Sequence, residues 1–182
     1  MDNFIYQSKI NTKVCGDIYE YYLSNKNKHT DTSQSDFDEE TKIASEIAIN
    51  VNFNKYPFNK YKEELQKCVY EYRNKYPEVD TLLTKWSLIG DYNIQYYKPG
   101  EGFKKVHCER GCVEASKRVL VFMTYLNTVK DAGTIWPKQN FVSECVKGNT
   151  LIWPTDWTHS HKGIINNKKD KCIITGWYSF ND

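Results

Sequence analysis

The stretch Tyr97-Lys98-Pro99-Gly100-Glu101-Gly102-Phe103-Lys104-Lys105-Val106-His107-Cys108-Glu109 ends on a histidine and a glutamate two positions apart. In an extended chain residues i and i+2 project from one face, so His107 and Glu109 can reach a common point while Cys108 points away. An imidazole and a carboxylate so placed supply two cis ligands. A third, distant histidine would complete a two-histidine, one-carboxylate set, which leaves one face of an octahedral ferrous ion open. The chain has four histidines, His29, His107, His159 and His161. The candidates for the third ligand are His159 and His161, in the segment WPTDWTHSHKG of residues 153–163. On an extended segment these two share a face, and periodicity does not choose between them.

The segment Lys171-Cys172-Ile173-Ile174-Thr175-Gly176-Trp177 reads as a strand with Lys171, Ile173, Thr175 and Trp177 on one face and Cys172, Ile174 and Gly176 on the other. A lysine sharing a face with Ile173 and Trp177 either snorkels at the strand end or lies buried, and a buried ammonium needs an anion beside it. Thr175, one pleat along, could add a hydroxyl to that anion. Other short apolar or alternating runs lie at 86–97, 118–126 and 150–153, separated by Gly, Pro, Asn and Asp. Such spacing points to an antiparallel sandwich or barrel in the C-terminal half.

Upstream, Tyr61, Leu65, Cys68, Val69, Tyr72 and Tyr76 recur at helical spacing until Pro77 ends the pattern, which predicts a helix over 60–76 that packs on a sheet. Ile47, Ile49, Val51 and Phe53 alternate as in a half-buried strand beginning near Ile43. Residues 24–42 are polar and read as a long loop, with a lid over a site as the alternative. At 182 residues the chain fits one domain, residues 1–182, made of N-terminal strands, helix and polar loop (1–80) and a β core that carries the metal site (81–182).

Composition narrows the function. Basic charge rests on twenty-two Lys and three Arg, and the net charge is +2, which argues against a nucleic-acid binder built on arginine forks. No apolar run spans a bilayer and the start lacks the pattern of a secretory signal, so no membrane partner and a cytoplasmic location are expected. The six cysteines are scattered, contain no CxxC pair and are expected to be reduced thiols. Aromatics reach 15%, and Trp136, Trp153 and Trp157 could line a groove or fill the core.

Five motifs in order carry a resemblance. Tyr97 stands ten residues before His107 in a Y-x-P-G-x-G-F context, and His107-x-Glu109 follows. A run ending Tyr125-Leu126-Asn127 comes next, then a loop, Ala132-Gly133-Thr134-Ile135-Trp136-Pro137, similar to G-G-x-T-x-F-P. Last is a distal histidine with a lysine ten residues later, leading into Ile174-Thr175-Gly176-Trp177. Over roughly residues 86–180 the chain resembles the Fe(II)/2-oxoglutarate-dependent dioxygenases, in particular prolyl 4-hydroxylase-like members, including small viral-type ones.

The resemblance implies a mainly β (α+β) fold: a double-stranded β-helix of the jelly-roll or cupin type, with N-terminal helices packed on one sheet. It implies Fe(II) held by His107, Glu109 and His161, since the ten-residue spacing to Lys171 favours His161 over His159. It further implies 2-oxoglutarate with its distal carboxylate on Lys171 and with Tyr97, Tyr125 and Thr175 as donors. O2 would be the co-reactant, ascorbate a reductant, and the substrate a peptide, a protein or a small molecule, with peptidyl proline first. A virus-encoded origin fits the small viral-type members. Three positions depart from the pattern: Glu109 replaces the usual aspartate, Ala132 replaces a loop glycine, and Ile164-Ile165 replace a proline-containing run. The rival readings are a non-catalytic jelly-roll ligand-binding module and a zinc site using His107, Cys108 and Cys112, the latter geometrically awkward because Cys108 faces away from His107.

Overall fold

In the computed structural model, which describes residues 2–31 and 40–181, the alternating runs pair into antiparallel sheets and the two helical segments cover one of them. The elements in chain order are β1 (Tyr6–Lys9), α1 (Thr12–Ser24), β2 (Thr30–Asp31), β3 (Lys42–Ile43), β4 (Ser45–Ile49), α2 (Phe58–Lys75), β5 (Trp86–Leu88), β6 (Tyr92–Tyr97) and β7 (Gly102–Phe103). Then come β8 (Arg118–Tyr125), β9 (Thr134–Trp136), β10 (Phe141–Val142), β11 (Asn149–Pro154), β12 (Lys162–Gly163) and β13 (Lys171–Phe180). The large sheet runs β1-β11-β8-β13-β6-β4-β2, with β5 pairing to the far end of β13. A three-stranded sheet β10-β9-β12 and a β3-β7 ladder form the opposing layer, giving the expected double-stranded β-helix.

Alternation along the central strands separates two interiors. Leu120 and Phe122 of β8, Cys172 and Ile174 of β13, and Ile94 of β6 face the helices, where they meet Ile18 of α1 and Tyr61, Leu65 and Tyr72 of α2. Val121, Met123, Tyr125 and Ile173 face the other way and pack with Trp136 and Trp153. The helix-side layer supplies the larger apolar burial, at about 25 cal/mol per Å². Part of its polar content is paired: the Tyr61 hydroxyl meets Thr124 Oγ1 at 3.0 Å, and Thr124 meets Thr150 at 2.8 Å, whereas the buried Tyr76 and Tyr92 hydroxyls have no hydrogen-bond partner among the described residues. Gly176 keeps the layer tight, because a Cβ there would sit 2.6 Å from Tyr92 Cβ.

Several local expectations are corrected. The strand starting near Ile43 breaks into β3 and β4 and stops at Ile49, because the Asn50 side chain accepts from the Asn52 amide and turns the chain, leaving Val51 and Phe53 outside it. The expected loop at 132–137 contains β9, held between β10 and β12. In the polar stretch 24–42, α1 runs to Ser24, a short 3-10 turn covers Lys26–Lys28, and β2 and β3 follow; residues 32–39, and with them the lid alternative, lie outside the described residues. No helix among the described residues is long and apolar enough to cross a membrane.

Candidate metal centre and anion site

His107 and His161 face each other as an isolated antiparallel pair. The His107 amide donates to the His161 carbonyl at 2.9 Å and the His161 amide to the His107 carbonyl at 2.8 Å. Glu109 is fixed from the next residues: its amide and that of Arg110 both donate to the Thr155 carbonyl at 3.1 Å. The backbone therefore holds residues far apart in sequence at one point. Glu109 Oε1 lies 3.4 Å from His107 Nε2 and 3.3 Å from His161 Nε2, and one ligand atom from each residue falls within 4.8 Å of the others.

The tautomers follow from the partners of the other ring nitrogens. His107 Nδ1 is 3.0 Å from the Lys105 carbonyl and His161 Nδ1 is 3.0 Å from the His159 carbonyl. Carbonyls only accept, so each Nδ1 carries a proton and each Nε2 is left to a ligand. Phe103 stacks on the His107 ring at 3.5 Å between centroids, and Trp136 and Trp153 flank His161 at 5.6 and 5.0 Å. Burial works to raise the Glu109 carboxyl, but hydrogen bonds and charge at His107 and His161 overrule it and hold it well below the usual carboxylate range. Glu109 is thus an anion. Two imidazole nitrogens and one carboxylate oxygen, with their other atoms already engaged, are a donor set that fits a divalent iron.

The longer arm of Glu109, relative to aspartate, is tied down. Trp177 Nε1 donates to Glu109 Oε2 at 3.0 Å, while Arg118 Nη1 donates to the Glu109 carbonyl at 2.9 Å and lies 3.8 Å from Oε2. The Arg118 guanidinium stacks 3.6 Å from the centre of the Trp177 ring. Oε2 is thereby occupied and Oε1 faces the histidines. Sequence reading missed Arg118 as a site residue; that it is one of only three arginines and begins the strand after the His-x-Glu motif was the available signal.

The cluster opens on a cavity of about 260 Å³. Lys171, Ile173, Thr175 and Trp177 of β13 all line it, as the alternation of that strand predicts. Lys171 is 6% exposed and stands opposite Tyr97 in the β13–β6 ladder, with Nζ 5.2 Å from the Tyr97 ring. Its ammonium donates to the carbonyls of Ala132 and Ile164, both at 3.3 Å, and no carboxylate pairs with it among the described residues. Burial pulls its pKa down from 10.5 to about 8. Tyr97 and Tyr125 also line the cavity, both with hydroxyls pushed upward by burial. Tyr97 donates to Gln95 Oε1 at 2.6 Å, and the Tyr125 hydroxyl meets Thr134 and Ser143 at 2.9 and 2.7 Å. The Thr175 hydroxyl donates to the Phe122 carbonyl at 2.9 Å.

His159 does not share a face with His161. It closes a 3-10 turn, Trp157–His159, and its Nε2 donates to the Asn3 carbonyl at 3.0 Å, which anchors the N-terminal segment. No cysteine joins the metal-capable group among the described residues, so the zinc arrangement through Cys108 and Cys112 does not form. Of the three tryptophans left open, Trp136 and Trp153 are core, whereas Trp157 is 75% exposed.

No family model matches the sequence, and no curated protein matches it either. Solved structures do. The viral collagen prolyl hydroxylase of Paramecium Bursaria Chlorella virus-1, in its 2OG complex, superposes with a TM-score of 0.74 at 12% identity, covering 98% of this chain and 97% of that one. A Pseudomonas putida prolyl-4-hydroxylase gives 0.72 at 13% identity, over 98% and 93% of the two chains. A Trichoplax adhaerens prolyl hydroxylase, in complex with a hypoxia inducible factor peptide fragment, gives 0.69 at 12% identity, over 98% and 84%. At such identities the likeness is one of architecture, and the chain has the fold of the prolyl 4-hydroxylase-like 2-oxoglutarate oxygenases.

Proposed function

We propose that the chain is an Fe(II)- and 2-oxoglutarate-dependent oxygenase that hydroxylates an unactivated C–H bond, with peptidyl proline as the substrate class and succinate and CO2 as co-products. One observation carries this reading: three converging ligand atoms from His107, Glu109 and His161 share a cavity with Lys171, a buried ammonium without a carboxylate partner among the described residues. The first feature fits a cation and the second fits an anion, and 2-oxoglutarate is a molecule that bridges the two.

In this reading His107 Nε2, Glu109 Oε1 and His161 Nε2 hold the iron. Lys171 takes the distal carboxylate of 2-oxoglutarate, and the Tyr97, Tyr125 and Thr175 hydroxyls border it. The iron supplies the activation of O2 coupled to oxidative decarboxylation of 2-oxoglutarate, and ascorbate serves as reductant between turnovers. The chain's own groups orient and screen. Trp177 and Arg118 fix Glu109, the backbone carbonyls of Lys105 and His159 fix the two imidazoles, and Trp136 and Trp153 keep water from His161. A peptide substrate accords with the peptide bound to the Trichoplax neighbour. We read residues 1–182 as one functional unit, since both helices pack on the sheet that carries Lys171.

The test is succinate release from 2-oxoglutarate with Fe(II), O2 and proline-containing peptides, read against a 16-mass-unit gain on the peptide, a value of about one oxygen atom inserted into a C–H bond. Stoichiometric succinate and oxidised peptide support the reading. Absence of both, with and without peptide, rejects it.

A further inference from the structure

A second cavity, of about 280 Å³, lies between the end of α2 and strands β8, β11 and β13, and shares no lining residue with the one that holds the metal-capable cluster. Tyr72 of α2, Tyr76 just after it, Leu120 of β8, Pro154 of β11 and Phe180 of β13 line it, and Phe4, Glu78 and Leu82 form its exposed wall. Tyr76 closes α2, its amide donating to the Tyr72 carbonyl at 2.8 Å, and the two rings lie 5.0 Å apart between centroids. The Phe4 ring lies against the Tyr76 ring, also at 5.0 Å. Phe4 is held there with a φ of 55°, a left-handed conformation that bulky side chains rarely adopt. The bond from His159 to the Asn3 carbonyl and the buried Ile5 pin the segment on either side of it. Strained residues of this kind gather at ligand clamps.

The deciding feature is a hydroxyl. Tyr76 is 3% exposed, and its hydroxyl has no hydrogen-bond partner among the described residues. Phenylalanine would fill the same space without leaving a buried polar atom unpaired, so the phenol burdens the ligand-free fold with a desolvation cost that no protein group among the described residues offsets. Tyr92 carries the same cost in the helix layer, but it lines neither cavity. At Tyr76 the orphaned phenol borders a space large enough for a partner. An apolar cavity of about 150 Å³ holds benzene, so about 280 Å³ admits such a ring with a substituent. Charged heads fit badly. Arg110 and Asp156, also on the wall, are engaged with each other, so a carboxylate would lie beside Glu78 with the guanidinium already taken. An ammonium would approach Lys75, whose Nζ lies 5.3 Å from the centre of the Tyr76 ring.

We propose that this cavity is a second small-molecule site, for a neutral, largely apolar molecule about the size of a monosubstituted benzene, whose oxygen accepts from the Tyr76 hydroxyl. The ligand's ring replaces empty space against Leu120, Pro154 and Phe180, and its oxygen gives the phenol the partner that the protein withholds. The site is independent of the oxygenase reading, because none of its residues belongs to the metal cluster or borders Lys171 in the first cavity.

Titration of the 15N-labelled full chain with acetophenone, ethylbenzene, benzoate and benzylammonium, followed by amide shifts, tests this. Acetophenone should bind saturably, shift the amides of Val79 and Leu120, and bind about fivefold tighter than ethylbenzene, the worth of one neutral hydrogen bond. Both charged probes should bind more weakly than acetophenone. Tyr76→Phe breaks no hydrogen bond of that hydroxyl among the described residues and should not lower the melting temperature. It should bring acetophenone down to the affinity of ethylbenzene while leaving ethylbenzene unchanged. Leu82→Trp, on the exposed wall, should weaken both neutral probes alike. Mn(II) with 2-oxoglutarate should leave acetophenone binding unchanged. No saturable shift with any probe, a charged probe as the tightest binder, or an acetophenone advantage that survives Tyr76→Phe overturns the inference. Binding that Leu82→Trp leaves unaltered also overturns it, as does displacement of acetophenone by Mn(II) with 2-oxoglutarate, which would put the probe in the metal cavity.

Discussion

Replacing Lys171 by methionine should make the ligand-free protein more stable while removing its anion site. The side chain is buried, and its pKa is drawn down from 10.5 to about 8 by desolvation. Holding it charged at neutral pH thus costs the fold roughly 3 kcal/mol, at about 1.4 kcal/mol per unit. Methionine fits a similar shape but cannot donate to the Ala132 and Ile164 carbonyls. Losing two hydrogen bonds worth about 0.5–1.5 kcal/mol each returns part of the gain. The net expectation is a stabilisation of up to about 2 kcal/mol, or up to about 4–8 °C in melting temperature for a chain of this size. The sign with pH follows from a folded pKa below the unfolded one. The penalty on the native protein is fully present below about 8 and fades as pH rises toward 10.5, so the advantage of the variant is constant at lower pH and shrinks through that window. Differential scanning fluorimetry of both proteins from neutral to alkaline pH measures it. Added 2-oxoglutarate with Mn(II) should raise the melting temperature of the native protein and leave that of Lys171→Met unmoved. A less stable variant with an undiminished 2-oxoglutarate shift would refute the reasoning.

Further expectations concern the ligands and the frame around them. His161→Ala should abolish Mn(II) binding, followed by electron paramagnetic resonance, whereas His159→Ala should leave it intact because that ring anchors Asn3 instead. Trp177→Phe keeps an aromatic face for Arg118 but loses the donor to Glu109 Oε2; it should weaken metal affinity by about 10–100-fold with little change in melting temperature. Leu65→Ala, in the fully buried helix layer, should cost about 2–5 kcal/mol in urea denaturation. Gly133→Ala places a Cβ 1.7 Å from the Ser143 carbonyl oxygen, and should destabilise the protein by roughly 1–3 kcal/mol or more by parting β9 from the 143 backbone.

The sheet strands that line the cavity were legible because each is governed by a period of two. On β13 the odd lysine beside Ile173 and Trp177 left a polar interior as one of two readings, and the structure brings all four residues to one wall. α2 was legible from its apolar stripe, although it begins at Phe58. α1 was not: its stripe is short, Val14, Cys15, Ile18 and Tyr22, and its main start signal is Asn11, whose side chain accepts from the Lys13 amide. His159 was misread as extended because a single 3-10 turn leaves no periodic trace in Trp157-Thr158-His159. The Arg118–Trp177 support of Glu109 was invisible for another reason: it depends on a contact between the neighbouring strands β8 and β13, which local sequence does not report.

The most direct test of the central claim is anaerobic titration of the protein with Fe(II) and then 2-oxoglutarate, watching for the weak visible charge-transfer band of the bidentate chelate. The account predicts that the band develops to one equivalent of each in the native protein, fails to form in His107→Ala and Glu109→Ala, and needs far more 2-oxoglutarate in Lys171→Met. A native protein that binds neither, or a band that persists unchanged when His107, Glu109 or His161 is replaced, would contradict it.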